Sequence, residues 1–209
     1  MFIELIDALR CPVPHEESWL VVAAQRIDAR HIVEGTLGCH VCGAEYPIRL
    51  GVADFRCHAD SVPPQSAPGD LEQAMRLAAL LDLSDARGFA LLLGDWGKHA
   101  ALLSSIVQVP LLLVDPPEQV TAAPGISIVR CDADLPLAAG AARATAIDRD
   151  DDQRAASAIR ATRVQGRVVA PVTVRVPAAV RELTRDQSLW VGEREAPASP
   201  LVSLHVRRG

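Results

Sequence analysis

Two stretches of this chain, residues 89–93 and 109–114, are apolar throughout, and each stops at a residue that favours a turn, Gly94 or Asp115. Runs this short and this uniformly apolar suit strands buried on both faces, as in a parallel sheet covered by helices on either side. Further short runs follow at 126–130, 144–147, 167–170, 189–191 and 201–206. Segments with helical character separate most of them, at 99–106, 151–162 and 178–183. Ahead of the first run, Asp70 is placed to cap a helix that puts Leu71, Ala74, Met75, Ala78 and Leu81 on one face. Alternation of this kind predicts an α/β fold with a mostly parallel sheet over 70–209, its last two strands forming an antiparallel edge.

The first third reads differently. Residues 59–69 hold three prolines, two serines and a glycine with little apolar content, which reads as a linker. The predicted organisation is a small domain over 1–58, the linker at 59–69, and the α/β domain over 70–209. Within 1–58, residues 2–9 suit a short helix or turn, and 19–22, 35–39 and 46–52 suit strands. So small a region, with few large apolar side chains, commonly needs a metal to hold it.

Charge and composition exclude several function classes. With 21 basic and 26 acidic residues the net charge is −5, which argues against a chain whose main task is gripping nucleic acid. Seven aromatic residues are too few for a base-stacking platform. The ten arginines of 151–209 stand against six acids there, and with a single lysine in the chain they read as a solvated arginine surface. No apolar stretch approaches the ~20 residues of a membrane span. The opening Met1-Phe2-Ile3-Glu4 has no basic start before an apolar core, so a cytoplasmic location is expected. An odd count of five cysteines fits metal binding or free thiols better than disulfides.

Cys39-His40-Val41-Cys42-Gly43 has the form of a zinc knuckle, two thiolates at x-x spacing with a glycine for the turn. Upstream, Cys11-Pro12-Val13-Pro14-His15 offers a thiolate and an imidazole. Together Cys11, His15, Cys39 and Cys42 make four N/S ligands suited to a closed structural zinc site. His31, His40, Cys57 and His58 are rivals for the fourth place. The competing reading is a domain without metal, its cysteines acting as small buried apolar groups. Four protein ligands leave no open position, so a zinc ion here would hold the fold and perform no chemistry.

These residues carry a resemblance. Leu9-Arg10-Cys11-Pro12, followed by Leu37-Gly38-Cys39-x-x-Cys42-Gly43-x-x-Tyr46-Pro47-Ile48-Arg49-x-Gly51-Val52-x-Asp54-Phe55, resembles the small zinc-ribbon family that includes activator subunits of tRNA and release-factor methyltransferases. The same ribbon occurs fused in front of class I S-adenosylmethionine methyltransferases. The resemblance continues past the linker: Leu91-Leu92-Leu93-Gly94-Asp95-Trp96-Gly97-Lys98 is similar to the glycine-rich first loop of those enzymes. Leu111-Leu112-Leu113-Val114-Asp115 is similar to their second strand, and Arg130-Cys131-Asp132-Ala133-Asp134 to their third motif. The resemblance implies a truncated Rossmann-like domain in which Gly94 lets backbone approach S-adenosylmethionine, Asp115 accepts its ribose hydroxyls and Asp132 lies near its adenine. For the free-standing ribbon subunits it implies a binding platform for a catalytic partner.

Departures from the family pattern fall on the first loop. Leu92 stands where the strand usually bears an acid, and Trp96 and Lys98 stand in place of two glycines. The acid expected early in the fourth strand is replaced by Arg143-Ala144-Thr145-Ala146. No Gly-x-Ser-x-Gly elbow, His-Glu-x-x-His helix or phosphate loop is present, and no residue is assigned a catalytic role. Lys98 and His99 suit the solvated first turn of a helix, and nothing near Cys57 or Cys131 marks an activated thiol. The favoured reading is a non-catalytic methyltransferase-like protein acting as a protein partner or scaffold, or as a homodimer. The alternative is a working S-adenosylmethionine-dependent methyltransferase with an atypical loop. An indole at position 96 is expected to fill the space the methionine portion of that cofactor requires, with Leu92 adding apolar surface.

Overall fold

The computed structural model describes residues 1–57, 66–132 and 134–196. One sheet of eleven strands runs through these residues, in the spatial order 20–28, 31–39, 45–49, 52–54, 126–130, 111–114, 90–93, 142–146, 162–171, 189–194 and 180–185, numbered β1 to β11 along the chain. The central strands are the apolar runs: β5 (Ala90–Leu93), β6 (Leu111–Val114) and β7 (Ile126–Arg130), each parallel to its neighbour. On the other side of β5 lie β8 (Ala142–Ala146) and β9 (Thr162–Pro171), also parallel. The fold is therefore α/β with a doubly wound parallel centre, as the runs predict. Along β5 and β6, Leu91, Leu93, Leu112 and Val114 join one core, and Ala90, Leu92, Leu111 and Leu113 another. Burial on both faces explains why these strands are apolar without alternation.

Helices α1 (Leu71–Leu80) and α2 (Ala100–Ile106) cover the second of those cores, and α3 (Asp152–Ala161) the opposite face. Asp70 caps α1 by accepting from the Gln73 N–H, and Asp151 caps α3 in the same manner from Arg154. The buried face of α1 is Ala74, Leu77 and Leu81, while Leu71 and Met75 are exposed. Ala74, Ala78 and Leu81 thus face the core as expected, Leu77 joins them, and Leu71 and Met75 do not.

The helix expected at 178–183 is a strand. Residues 180–185 form β10 (Val180–Arg185), which pairs antiparallel with β11 (Leu189–Arg194), and β11 pairs antiparallel with β9. The edge hairpin is thus β10–β11, whereas the run at 201–206 lies outside the described residues. Only Val180 of β10 is buried, four of its positions are exposed, and an edge strand of that kind loses the period-2 signal.

The N-terminal strands β1 (Leu20–Asp28), β2 (His31–Cys39), β3 (Glu45–Arg49) and β4 (Val52–Asp54) form an antiparallel meander. The single strand expected at 46–52 divides at Leu50-Gly51 into β3 and β4. β4 then pairs in parallel with β7, Asp54 opposite Arg130, so the meander continues the same sheet. Residues Ile3–Ala8 form a 3-10 helix. No helix among the described residues is long and apolar enough to cross a membrane.

Candidate metal centre and the crevice at the strand ends

Two features of the N-terminal meander bring Cys11, His15, Cys39 and Cys42 together. The Leu20–Cys39 register sets Cys39 at the end of β2, and the hydrogen bonds Gly43 N–H to Cys39 C=O and Cys39 N–H to Ala44 C=O close the turn that carries Cys42. A bridge between Arg10 and Trp19, with the Cys11 N–H donating to Ser18 C=O, folds the 11–15 loop over that turn. The four ligand atoms lie within 4.8 Å of one another. Cys11 Sγ is 3.7 Å from Cys42 Sγ, and Cys39 Sγ is 3.4 Å from His15 Nε2. A tetrahedral zinc site with ordinary bond lengths has edges of about 3.8 Å between sulfurs and about 3.6 Å between sulfur and nitrogen. The donor set and its spacing fit that ion.

The surroundings fit it too. His15 Nδ1 faces the Glu16 carbonyl at 2.5 Å, an arrangement that fixes the tautomer and leaves Nε2 as the ligand. Burial opposes ionisation of Cys39, but the N–H groups of Cys42 and Val41 and the thiols of Cys42 and Cys11 outweigh it, bringing Cys39 down to about 6. Burial pushes the Cys11 thiol up, and burial first, then contact with Cys11 at 3.5 Å, pushes the Tyr46 hydroxyl up as well. Of the rivals, His31 stacks on Phe2 away from the cluster, and His40 is exposed beside Ser18. Cys57 is exposed against Asp132, and His58 lies outside the described residues.

The second candidate site is the crevice where strand order reverses, between β5 and β8, the place where open α/β sheets bind ligands. Gly94 opens a 3-10 helix, Gly94–His99, directly after β5. Its φ is +50°, and a Cβ there would fall 1.9 Å from Asp148 Oδ2. Asp148, at the end of β8, thus lies directly on Gly94, and its Oδ2 accepts from the Asp95 N–H at 3.3 Å. The Asp148 side chain is 9% exposed, with Oδ1 buried and unpartnered. Gly97 packs just as closely on the other flank, where a Cβ would sit 2.5 Å from Pro116 Cβ.

Asp115 follows β6 with φ 47°, an unusual backbone for a non-glycine residue. Its carboxylate is held by Arg154 from the first turn of α3. Burial raises the Asp115 carboxyl, and Arg154 only partly offsets that. Asp132 is exposed and accepts from the Cys57 N–H at 3.3 Å. Trp96 is half-buried against the α1 side of the sheet and donates its indole N–H to Ile147 C=O at 2.8 Å, spanning the same crevice. Leu92 is fully buried in that core. Arg143, where the resemblance expects an early acid of the fourth strand, is buried and binds the carbonyls of Asp82 and Asp85 at 2.7 Å. It ties the loop after α1 to the sheet.

The residues that sequence reasoning missed are Asp148 and Arg154. Their signals were an acid just past an apolar strand and a basic residue in the first turn of the next helix, neither of which names a partner.

His99 closes the glycine loop and is 1% exposed, with both ring nitrogens shut away from solvent and lacking a well-formed hydrogen bond. Burial first, then neighbouring Lys98, lowers its pKa below the ordinary 6.5. The unfolded chain therefore binds this proton more readily, and stability should fall as pH drops through about 6.5. Thermal melts across that range should flatten in His99→Leu. Parallel curves for the two proteins would refute the assignment.

No family model matches the chain, and no curated protein matches it. Among solved structures it is similar to the geranyl diphosphate C-methyltransferase of Streptomyces coelicolor A3(2), with 17% identity, 47% of this chain, 42% of that chain and a TM-score of 0.40. It is also similar to a SAM-dependent O-methyltransferase of Thermotoga maritima, with 10% identity, 79% of each chain and a TM-score of 0.44. A third is the tRNA (m1A58) methyltransferase of Aquifex aeolicus, with 10% identity, 65% of this chain, 73% of that chain and a TM-score of 0.44. The match spans less than half the length of the geranyl diphosphate enzymes. What the fold itself defines is the class: an α/β protein built on a doubly wound, mostly parallel sheet.

Proposed function

We propose that this chain is a non-catalytic methyltransferase-like protein that works through its surfaces, as a partner or scaffold for another protein or for a second copy of itself. The observation that carries this reading is the contact of the chain's own segment after β8 with Gly94 and Asp115 in the crevice. From that segment, the Asp148 carboxylate sits on Gly94 and the Arg154 guanidinium occupies Asp115, two of the three positions that the family resemblance gives to a cofactor, the third being the exposed Asp132. Gly97 against Pro116 supports it, because the glycine loop is packed on the end of β6 with no room for a side chain between them.

In the N-terminal region Cys11, His15, Cys39 and Cys42 would hold one structural zinc ion. Bound there, zinc supplies a cross-link between the 11–15 loop and the 39–42 turn, and with four protein ligands it offers no open position. The meander then presents a fixed surface beside β7, consistent with a platform role.

A working S-adenosylmethionine-dependent methyltransferase would need Arg154 to release Asp115 and Asp148 to leave Gly94. Calorimetry distinguishes the two. The purified chain should give no binding heat with S-adenosylmethionine or S-adenosylhomocysteine at ligand up to about 1 mM, a limit near −4 kcal/mol. Micromolar binding of either would overturn the proposal.

A further inference from the structure

A cavity of about 270 Å³ lies between the metal loop and the carboxyl end of β7. Its floor is the buried pair Tyr46 and Phe55, ring centroids 4.6 Å apart, together with the buried Cys131 thiol. Pro12 and Val13, between Cys11 and His15, form one wall. The rim is polar and acidic: Asp132 and Asp134 stand there with Gln153, whose amide donates to Asp134 at 3.3 Å. No basic side chain lines it among the described residues. Arg56, which acts on Asp132 from nearby, is engaged by Asp54, and Arg154, which acts on the Cys131 thiol, is engaged by Asp115. Burial first, then the charges of Asp115, Asp132 and Asp134 against that of Arg154, push the Cys131 thiol up to about 12.

A cleft with an aromatic floor, an aliphatic wall and two carboxylates at its mouth suits a planar cation on an apolar stem. We propose that this cavity receives the arginine side chain of a partner protein. The stem would lie along Pro12 and Val13, the guanidinium plane would stack towards Tyr46 and Phe55, and its N–H groups would reach Asp132 and Asp134. The fit rests on charge complementarity: a charge-assisted fork to carboxylates is directional, and lysine cannot reproduce its planar stacking. As a partner site, it rests on the scaffold reading above.

The test is an amide-resolved NMR titration of the whole chain with acetyl-Gly-Arg-Gly-amide, and with the same peptide carrying citrulline, the uncharged isostere. The arginine peptide should move the Cys57, Asp132 and Gln153 amides in a saturable manner, the citrulline peptide should not, and Asp132→Asn with Asp134→Asn should weaken binding at least ten-fold. Equal shifts with citrulline, unchanged affinity in the Asn pair, or tighter binding of adenosine at the same amides would overturn the assignment. S-adenosylhomocysteine, titrated in parallel, separates the two claims. If it moves the Asp95 and Asp115 amides, the scaffold reading fails; if neither ligand binds, only the arginine site fails.

Discussion

Stripping the purified chain of metal is expected to release one equivalent of zinc and to lower Tm by about 10–20 °C. The estimate follows from treating the ion's binding energy as folding energy: losing ~5 kcal/mol of it, at roughly 2–4 °C per kcal/mol for a chain of this size, gives that range. The effect should be large because the 11–15 loop has little else to hold it. Cys11 is half-buried, Cys42 is exposed, and Pro12, Val13 and Pro14 contribute no backbone-rich element. Cys39→Ser with Cys42→Ser should reproduce the shift and leave nothing for a chelator to remove. Less than a tenth of an equivalent by elemental analysis of gently prepared protein would reject the metal centre outright.

The second large effect concerns the pair Arg154–Asp115. Arg154→Met should destabilise the chain by about 3–5 kcal/mol, because a largely buried carboxylate loses its counter-charge. Asp115→Asn with Arg154→Met should recover most of that loss, since two neutral groups of similar volume leave no unpaired charge. Urea melts of the four members of this cycle measure the coupling. Additive losses would mean that the pair does not hold the crevice. A separate double variant bears on function: Asp148→Ala with Arg154→Ala removes both groups that sit on Gly94 and Asp115. On the present account that double variant gains measurable affinity for S-adenosylhomocysteine.

How much was legible beforehand depended on how local the signal is. β5 and β6 were readable because burial on both faces leaves an unbroken apolar run bounded by Gly94 and Asp115. β10 was not, since Val180 is its one buried residue and the Ala178–Leu183 composition suits a helix equally well. On α1 the expected face included Leu71 and Met75, which are apolar yet exposed, and missed the buried Leu77. The Cys and His spacings named four side chains that do converge. The crevice was the reverse case. Trp96, the bulky residue of the loop, does span the crevice from the α1 side to Ile147, but the groups on Gly94 and Asp115 come from 148 and 154. Contacts across 39 or 53 residues leave no periodicity in a sequence.

The claim that this crevice is closed by the chain itself is tested most directly by the backbone amide resonances of Asp95 and Asp115 during a titration with S-adenosylhomocysteine. The account predicts that both resonances stay in place as ligand is raised to about 1 mM, because Asp148 already accepts the Asp95 N–H and Arg154 already holds Asp115. Saturable movement of those two amides, spreading to Gly94 and Gly97, would contradict it and assign the chain a working nucleoside site.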